Sequence, residues 1–318
     1  MSKKLRYRFL IALTSLLSGG AIAAYPNAPI ELIVPFPPGG SVDPIARALQ
    51  DGLQTVLSSS VIVLNQPGAG GTLGTSKVAH SAPNGYTLGM PTVGPLATQP
   101  HMSTLPYGID SFEYVCRTHV TPQVLAVPAN SPYKTLAEFV DDARKHPEKI
   151  ALASTGTGSV PHLAAVAFGQ LAGFEWMHIP TKGDAEALQL SLGGEITGWI
   201  AGVQTFSRMS DRLRALGILE QERSALLPDI PTFSEQGFPL ISAGWGGLVA
   251  SKGTPPDVIE TLSKACEKAT QTPKFESVLQ SLMVPQGYLP ADAFKTFAKS
   301  EYERYGELIR VSGAAVKE

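Results

Sequence analysis

Two short stretches of the sequence share an arrangement of glycine, serine and proline that suits the binding of an anion. They are Phe36-Pro-Pro-Gly-Gly-Ser41 and Ser154-Thr-Gly-Thr-Gly-Ser159. Each follows an apolar run and precedes a helical pattern with proline near its start, which predicts a strand, a turn and a helix. Such a helix start offers free N–H groups and the positive end of the helix dipole. One stretch lies in each of the two α/β units predicted below, so we expect two half-sites that close on one small anionic ligand.

We expect a single cleft to bring these residues together, because ligands bind beyond the carboxyl ends of strands in open α/β sheets. His162, in the first turn of the second helix, could reach a ligand carboxylate or bond within its own loop. Lys182 and Gly183 follow another predicted strand, where a solvent-exposed lysine is the alternative. For the glycine turns and Ser159, the alternative is tight turning and helix capping without a ligand.

The sequence contains none of the short motifs that mark common catalytic or metal sites. It lacks the phosphate-binding G-x-x-x-x-G-K-[ST] pattern, the H-E-x-x-H zinc pattern and the G-x-S-x-G nucleophile elbow. The glycines of Pro67-Gly-Ala-Gly-Gly71 do not have the spacing of a dinucleotide fingerprint. We therefore predict no catalytic residue, no metal site and no cofactor.

The N-terminus has the features of an export signal. Four basic residues between Lys3 and Arg8 precede the apolar run Phe9–Leu17, and small residues at Ala21–Ala24 allow cleavage. The apolar run is well below the roughly 20 residues that a spanning helix needs. We predict that residues 1–24 form a signal peptide and that the mature protein is periplasmic.

The net charge limits the class of partner, and the two cysteines limit the metal and disulfide chemistry. The full chain has a net charge of −2, and loss of a basic signal peptide leaves the mature chain more acidic. The lack of a broad basic surface argues against nucleic acid as a partner. Cys116 and Cys266 fit no zinc spacing. A disulfide is permitted in an oxidising compartment, but we expect two free, buried thiols.

The predicted elements form two α/β units of similar size. The first unit begins with the strand at Ile30, and the second begins with the strand Gln123–Pro128. The last helices have no unit of their own to build, so we expect the chain to return to the first unit through Gly246–Ala250. This predicts an α/β fold with two lobes and a parallel-rich sheet in each. Lobe 1 comprises residues 25–122 and 246–318, and lobe 2 comprises residues 123–245.

The order of several motifs resembles one known family, the solute-binding components of tripartite tricarboxylate transporters, also called Bug-type receptors. The motifs are Ile33-Val-Pro-Phe-Pro-Pro-Gly-Gly40, Asn65-Gln-Pro-Gly-Ala-Gly-Gly71, Pro83-Asn-Gly-Tyr-Thr-Leu88, Ser154-Thr-Gly-Thr-Gly-Ser159 with His162-Leu163, Leu192-Gly-Gly194 and Leu227-Pro-Asp-Ile-Pro-Thr232. Each motif alone is modest, but together they cover nearly all of the mature chain in the right order.

The resemblance implies a monomeric periplasmic protein of the two-lobed Venus flytrap type. Such a receptor captures a small carboxylate, for example a dicarboxylate, or a related organic solute by hinge closure, and delivers it to the subunits of a membrane permease. The family binds ligand carboxylates with the first glycine turn, partly through ordered water, and with the Ser/Thr/Gly turn of the second lobe. Carried over, these positions are Phe36, Pro38, Gly39, Gly40, Ser154, Thr155, Gly158 and Ser159. Adding the candidates from the chain itself extends this set of expected ligand contacts to Ser41, His162, Lys182 and Gly183, and the family's aspartate position adds Thr197.

Three positions depart from the family pattern. The family often has tyrosine where Thr181 stands, aspartate where Thr197 stands and arginine where Gln66 stands. Thr181 and Thr197 are expected in the cleft, so the loss of an aromatic group and an acid there would change the size and charge of the pocket. Two other functions stay open: a secreted α/β enzyme that uses the same cleft, and a receptor that serves signalling.

Overall fold

The computed structural model describes residues 25–40 and 42–315. The predicted signal peptide, residues 1–24, and Ser41 lie outside the described residues. Across the part of the chain that is described, no helix combines the length and the apolar character needed to cross a membrane.

Strands and helices alternate along most of the described chain. The strands are β1 (Ile30–Val34), β2 (Val61–Asn65), β3 (Thr87–Gly89), β4 (Phe112–Pro128), β5 (Ala151–Ser154), β6 (Met177–Pro180), β7 (Gly198–Gly202), β8 (Leu213–Ile218), β9 (Ala243–Ser251) and β10 (Gln286–Pro290). The helices are α1 (Val42–Leu57), α2 (Thr72–Ala79), α3 (Leu136–Lys145), α4 (Val160–Ala172), α5 (Asp184–Leu192), α6 (Val203–Arg208), α7 (Pro256–Thr270), α8 (Pro273–Ser281) and α9 (Ala291–Ser312).

The first lobe is built on β1, which pairs in parallel with β2 on one side and β3 on the other. The antiparallel strands β9 and β4 extend this sheet beyond β3. Ile45, Leu49 and Leu53 lie on one stripe of α1, are fully or almost fully buried, and join side chains of α7 and α8 in one core. Helix α9 packs on the opposite face of the sheet. The carboxyl ends of β1, β2 and β3 therefore meet at one edge.

The second lobe repeats this layered arrangement. Strand β5 pairs in parallel with β6 and β7, and β4 adds antiparallel to β7 and β8. The sheet of each lobe is thus mixed, with three parallel strands on its outer side and antiparallel strands toward the other lobe. Together with the similar structures described below, this arrangement confirms the predicted α/β fold and its two-lobed architecture.

One long strand, β4, runs from one lobe into the other, and the chain returns to the first lobe at the start of β9. Residues of β4 up to Pro122 pair with β9, whereas residues from Gln123 onward pair with β7 and β8. This change of partner falls at the predicted boundary between the lobes, and the boundary itself stays a prediction. The first half of β4 and the whole of β10 were not expected from the sequence.

The expectation of two free thiols is wrong, because Cys116 and Cys266 form a disulfide. Cys116 lies in β4 and Cys266 lies on the buried face of α7, and both side chains are fully buried. The bond joins residues 150 positions apart in the sequence. The segment around Cys116 was not recognised as a strand, so nothing in the sequence placed it against α7.

Candidate functional site

A cavity of about 540 Å³ lies between the two lobes at the carboxyl ends of their central strands. The first lobe contributes Phe36 after β1, Gly70 after β2 and the segment from Thr92 to Met102 after β3. The second lobe contributes Thr155 and residues 157–161, which follow β5 and open α4. The structure therefore brings part of both glycine turns to one space.

The first glycine turn is held by a buried carboxylate. Gly39, whose φ of +79° suits glycine, donates its N–H to Asp43 Oδ2 at 3.2 Å. Asp43 also accepts hydrogen bonds from Arg47 at 3.1 Å and Asn65 at 2.9 Å. Burial would raise the pKa of Asp43, but these hydrogen bonds and the Arg47 charge hold that pKa below its usual value. The positive charge of Arg47 is thus paired with the Asp43 carboxylate.

Among the described residues of the first turn, Phe36–Gly40, one lines the cavity. Phe36 does so, whereas Pro38, Gly39 and Gly40 are exposed to solvent and lie outside it. Ser41 is not among the described residues. The described part of the first turn therefore presents an aromatic ring to the cavity, whereas the N–H groups of Gly39 and Gly40 donate to Asp43 and to the Pro37 carbonyl.

Most hydrogen-bond donors of the second turn are engaged within the turn itself. The Gly158 N–H donates to His162 Nδ1 at 3.1 Å, and the Ser159 N–H donates to the Gly156 carbonyl at 3.2 Å. The Ser159 hydroxyl donates to that carbonyl at 2.7 Å and accepts the His162 N–H, so it caps α4. The Ser154 hydroxyl bonds to Gly156 and to His178 Nε2. Ser154, Gly158 and Ser159 therefore shape this turn.

The donors left over belong to three other residues. Within the described chain, the N–H groups of Thr155, Thr157 and Val160 and both threonine hydroxyls have no hydrogen-bond partner. All three residues line the cavity, and Val160 is the first residue of α4. A 13-residue helix directs its positive end there. This end of the cavity can bind one anionic group.

His162 holds the second glycine turn in place through a hydrogen bond from Gly158. It is buried, it stacks on His178 with ring centroids 3.9 Å apart, and its Nδ1 accepts the Gly158 N–H. Burial, and secondarily the neighbouring His178, lowers the pKa of His162 to about 4. A protonated ring would carry hydrogen on Nδ1 and lose this bond, so the neutral form holds Gly158 in place.

Three further candidates do not reach the cavity. Lys182 is exposed, and its backbone N–H donates to Glu186. Gly183 precedes α5, and its carbonyl accepts the Thr181 hydroxyl at 3.1 Å. Thr197 lies just before β7, where its hydroxyl bonds to Lys149 and to Ala151. Because β5 and β7 are parallel, Thr197 sits at the amino ends of these strands, opposite the cavity.

The sequence did not lead us to one part of the cavity wall, the segment of the first lobe that follows β3. Thr92, Val93 and Pro95 directly follow β3, and Gln99 and Met102 come shortly after them. Strand β3 had been recognised, so the rule that ligands bind at the carboxyl ends of strands would have identified this segment.

A pH-dependent loss of stability should reveal the role of His162. Its pKa lies near 4 in the folded protein and near 6.5 in an unfolded chain. The unfolded state therefore binds the proton first, and stability should fall as pH drops from about 6.5 to 4. We expect this residue to account for roughly 2–3 kcal/mol of that loss. Urea unfolding of the native protein and of His162→Asn, from pH 7 to pH 4.5, measures it.

Asparagine is the matched replacement because its Oδ1 can accept the Gly158 N–H but does not titrate. The distant histidines are unchanged in this variant, so their contributions cancel in the comparison. His178 stacks on His162, so the double variant His162→Asn/His178→Asn is compared with His178→Asn to separate its contribution. Equal pH dependence in the two proteins would show that His162 does not hold the turn in its neutral form.

Comparison with known proteins identifies the family to which the chain belongs. The sequence profile of the tripartite tricarboxylate transporter family receptors matches residues 45–314. BugT of Bordetella pertussis is 34% identical over 303 residues, which cover 92% of this chain and 92% of that protein.

Solved structures give the same result. A TctC solute-binding protein from Polaromonas, determined without ligand, covers 90% of this chain and 99% of its own, with a TM-score of 0.84 and 30% identity. MatC from Rhodopseudomonas palustris with bound malate has a TM-score of 0.70 at 26% identity, and covers 90% of this chain and all of its own. Rpa4515 from the same organism with adipate has a TM-score of 0.74 at 25% identity, and covers 92% and 99%. The chain therefore belongs to the family of tripartite tricarboxylate transporter receptors, which are solute-binding proteins, as its motifs indicated.

Proposed function

We propose that this protein is an exported periplasmic receptor that closes its two lobes on a small organic carboxylate and passes it to a tripartite-type membrane permease. The observation that carries the proposal is the amino end of α4, whose free donors face a cavity with its opposite wall in the other lobe. The basic and apolar N-terminus is consistent with export. The bound malate and adipate of the two similar structures support a carboxylate.

The ligand carboxylate is bound by neutral groups. Thr155 and Thr157 each supply a backbone N–H and a hydroxyl, and Val160 supplies the first N–H of α4. These donors act together with the helix dipole in a partly enclosed space, where water screens them less than at an open surface. Phe36, Thr92 and Val93 complete the site from the first lobe.

Hinge closure follows from the way the lobes are connected. A ligand that contacts both walls of the cavity stabilises the closed arrangement by its extra contacts there. Strands β4 and β9 pair with each other up to Pro122 and Ala243, so the backbone near these residues absorbs the rotation.

An enzymatic role in this cavity is poorly supported. Among the described residues that line it, none carries a carboxylate, imidazole, thiol or amine. The threonine hydroxyls and Ser159 thus have no adjacent base to activate them as nucleophiles. His162 is close in sequence, but it faces the turn and His178.

The proposal is tested by identifying what the protein carries. The full chain is exported and purified from the periplasm, and its co-purified small molecules are released by denaturation and identified by mass spectrometry. We expect an organic acid that is released unchanged and that raises the melting temperature when added back. Conversion of that acid to another product by the purified protein would contradict the proposal.

The contribution of the free donors can be measured on one side chain. Thr157→Val keeps the shape of the residue but removes its hydroxyl, so we expect carboxylate binding to weaken by about 1.5–3 kcal/mol. Thr181→Val is the control, because the Thr181 hydroxyl bonds to Ser154 and Gly183 and lies outside the cavity. Titration calorimetry with the recovered acid compares the variants. A larger loss in Thr181→Val would show that the wrong donors have been assigned.

A further inference from the structure

A second cavity, of about 210 Å³, also lies between the lobes. Helix α6 of the second lobe forms one side, and α1 and the segment after α8 form the other. Strand β4, which crosses between the lobes, completes the wall. The lining residues are Ile45, His119, Thr121, Gln204, Thr205, Arg208, Leu282 and Val284. None of them lines the first cavity, so this space has no part in the carboxylate site described above.

The two cavities open at the same edge of the sheets. Strands β5 and β7 are parallel neighbours, so their carboxyl ends lie side by side, about 4.7–4.9 Å apart. Thr155 follows β5 and lines the first cavity, whereas Gln204 follows β7 and lines the second. In the first lobe, Phe36 begins the first glycine turn and lines the first cavity, and Ile45, in the first turn of α1, lines the second. One ligand molecule that spans the cleft can therefore contact both cavities.

Arg208 brings a positive charge to this second cavity. It is an exposed residue whose side chain lines the cavity, and within the described chain it forms no hydrogen bond or salt bridge. Asp184 of α5 lies nearby, but its carboxylate accepts the Thr205 hydroxyl at 2.8 Å. A guanidinium presents its N–H donors in a planar fork that suits a carboxylate. Arg208 is therefore available to an anionic group in the cavity.

Other polar side chains of the wall have unused hydrogen-bonding capacity. Gln204 lies one helical turn before Arg208, and its amide has no hydrogen bond within the described residues, although its Oε1 is buried. The Thr121 hydroxyl is also unpaired in this part of the chain. His119 is only 4% exposed, and its ring bonds to Thr118 through Nδ1, which leaves Nε2 free. Buried polar groups are usually paired, so this cluster indicates a ligand that completes it.

We propose that the second cavity is a distal subsite for the same ligand and that it takes a second anionic group, which Arg208 binds. The Gln204 amide and the Thr121 hydroxyl donate to the same group. The subsite differs in kind from the amino end of α4, where neutral groups bind the carboxylate, because a side-chain cation binds the anion here. The proposal rests on the proposed function and adds to it a residue, Arg208, that determines specificity.

The experiment removes the charge of Arg208 and compares acids that differ by one carboxylate. Titration calorimetry on the mature protein, freed of bound ligand, measures butyrate against succinate, pentanoate against glutarate and hexanoate against adipate. We expect at least one diacid to bind at least about 10-fold more tightly than its monoacid, and Arg208→Gln to remove that preference. Gln204→Leu should reduce the preference by a smaller factor, because it removes a neutral donor.

Arg212→Gln is the matched control for the loss of charge. Arg212 is exposed, is paired with Asp211 and lines neither cavity, so this change removes the same charge from the same lobe. We expect this variant to prefer the diacid as strongly as the native protein does. If Arg208→Gln binds the diacids as the native protein does, or if Arg212→Gln loses as much affinity, the distal subsite is refuted.

The acid recovered from the purified protein separates this proposal from the proposed function. A recovered acid with a single anionic group, or monoacids that bind as tightly as the diacids, would overturn the distal subsite while the receptor function stands. If the folded protein carries no organic acid and binds none of the tested acids, the proposed function fails and the subsite fails with it. Recovery of an acid with two anionic groups, whose affinity drops at least about 10-fold in Arg208→Gln, would support both.

Discussion

Gly158→Val should weaken ligand binding by about 100-fold or more while leaving most of the fold intact. Gly158 has a φ of +75°, a conformation that costs a side-chain-bearing residue about 1–2 kcal/mol and a β-branched one more. A Cβ atom there would also overlap the Met102 side chain. The turn would have to change shape, and the N–H groups of Thr157 and Val160 would no longer point at one carboxylate.

Gly40→Val is the matched control for this change. Gly40 does not have a positive φ, and an added Cβ would meet only the Pro37 carbonyl, at 3.4 Å. The sequence pattern alone treated the two turns as equivalent half-sites, whereas in the structure the second turn has the free backbone donors that line the cavity. Calorimetry with the recovered acid, and circular dichroism to verify folding, compare the two variants. Equal losses of affinity would show that the first turn also binds the ligand through its backbone.

Among the substitutions predicted to lower stability, removal of the disulfide should cause the largest loss of unfolding free energy. Cys116 and Cys266 close a loop of 150 residues, and such a bond restricts the unfolded chain. We expect the double variant Cys116→Ala/Cys266→Ala to lose roughly 2–5 kcal/mol of unfolding free energy. Urea denaturation with and without dithiothreitol measures it.

Reductant provides the internal control for this prediction. It should destabilise the native protein by a similar amount and leave the double variant unchanged, because that variant has no bond to reduce. A native protein that unfolds at the same urea concentration with and without reductant would contradict the assigned pairing.

The elements with strong local patterns could be predicted from the sequence. The strand Val61–Asn65 and the helices Leu136–Lys145 and Pro273–Ser281 have the predicted bounds. Their apolar periodicity and their capping residues are local properties of the chain. The first half of β4 lacks such a pattern because it is buried on both faces. Because this strand was not predicted, Cys116 could not be placed next to Cys266.

The chemistry of the site could be predicted only in part. The location at the ends of β1 and β5 follows from strand–turn–helix order, and the structure places Phe36 and Thr155 there. Which donors are free does not follow, because it depends on contacts such as Gly158 with His162, and Ser159 with Gly156. The position of Thr197 could not be predicted either. Residue type does not show whether a threonine lies at the amino or the carboxyl end of a strand, and Thr197 lies at the amino end of β7.

The central claim is that one carboxylate lies at the amino end of α4 while the ligand body contacts the first lobe. A crystal structure of the protein with its recovered acid tests this most directly. We predict carboxylate oxygens within hydrogen-bond distance of the N–H groups of Thr155, Thr157 and Val160, and a ligand body packed on Phe36 and Met102. A ligand bound outside this cavity, or one with no carboxylate at the amino end of α4, would contradict the account.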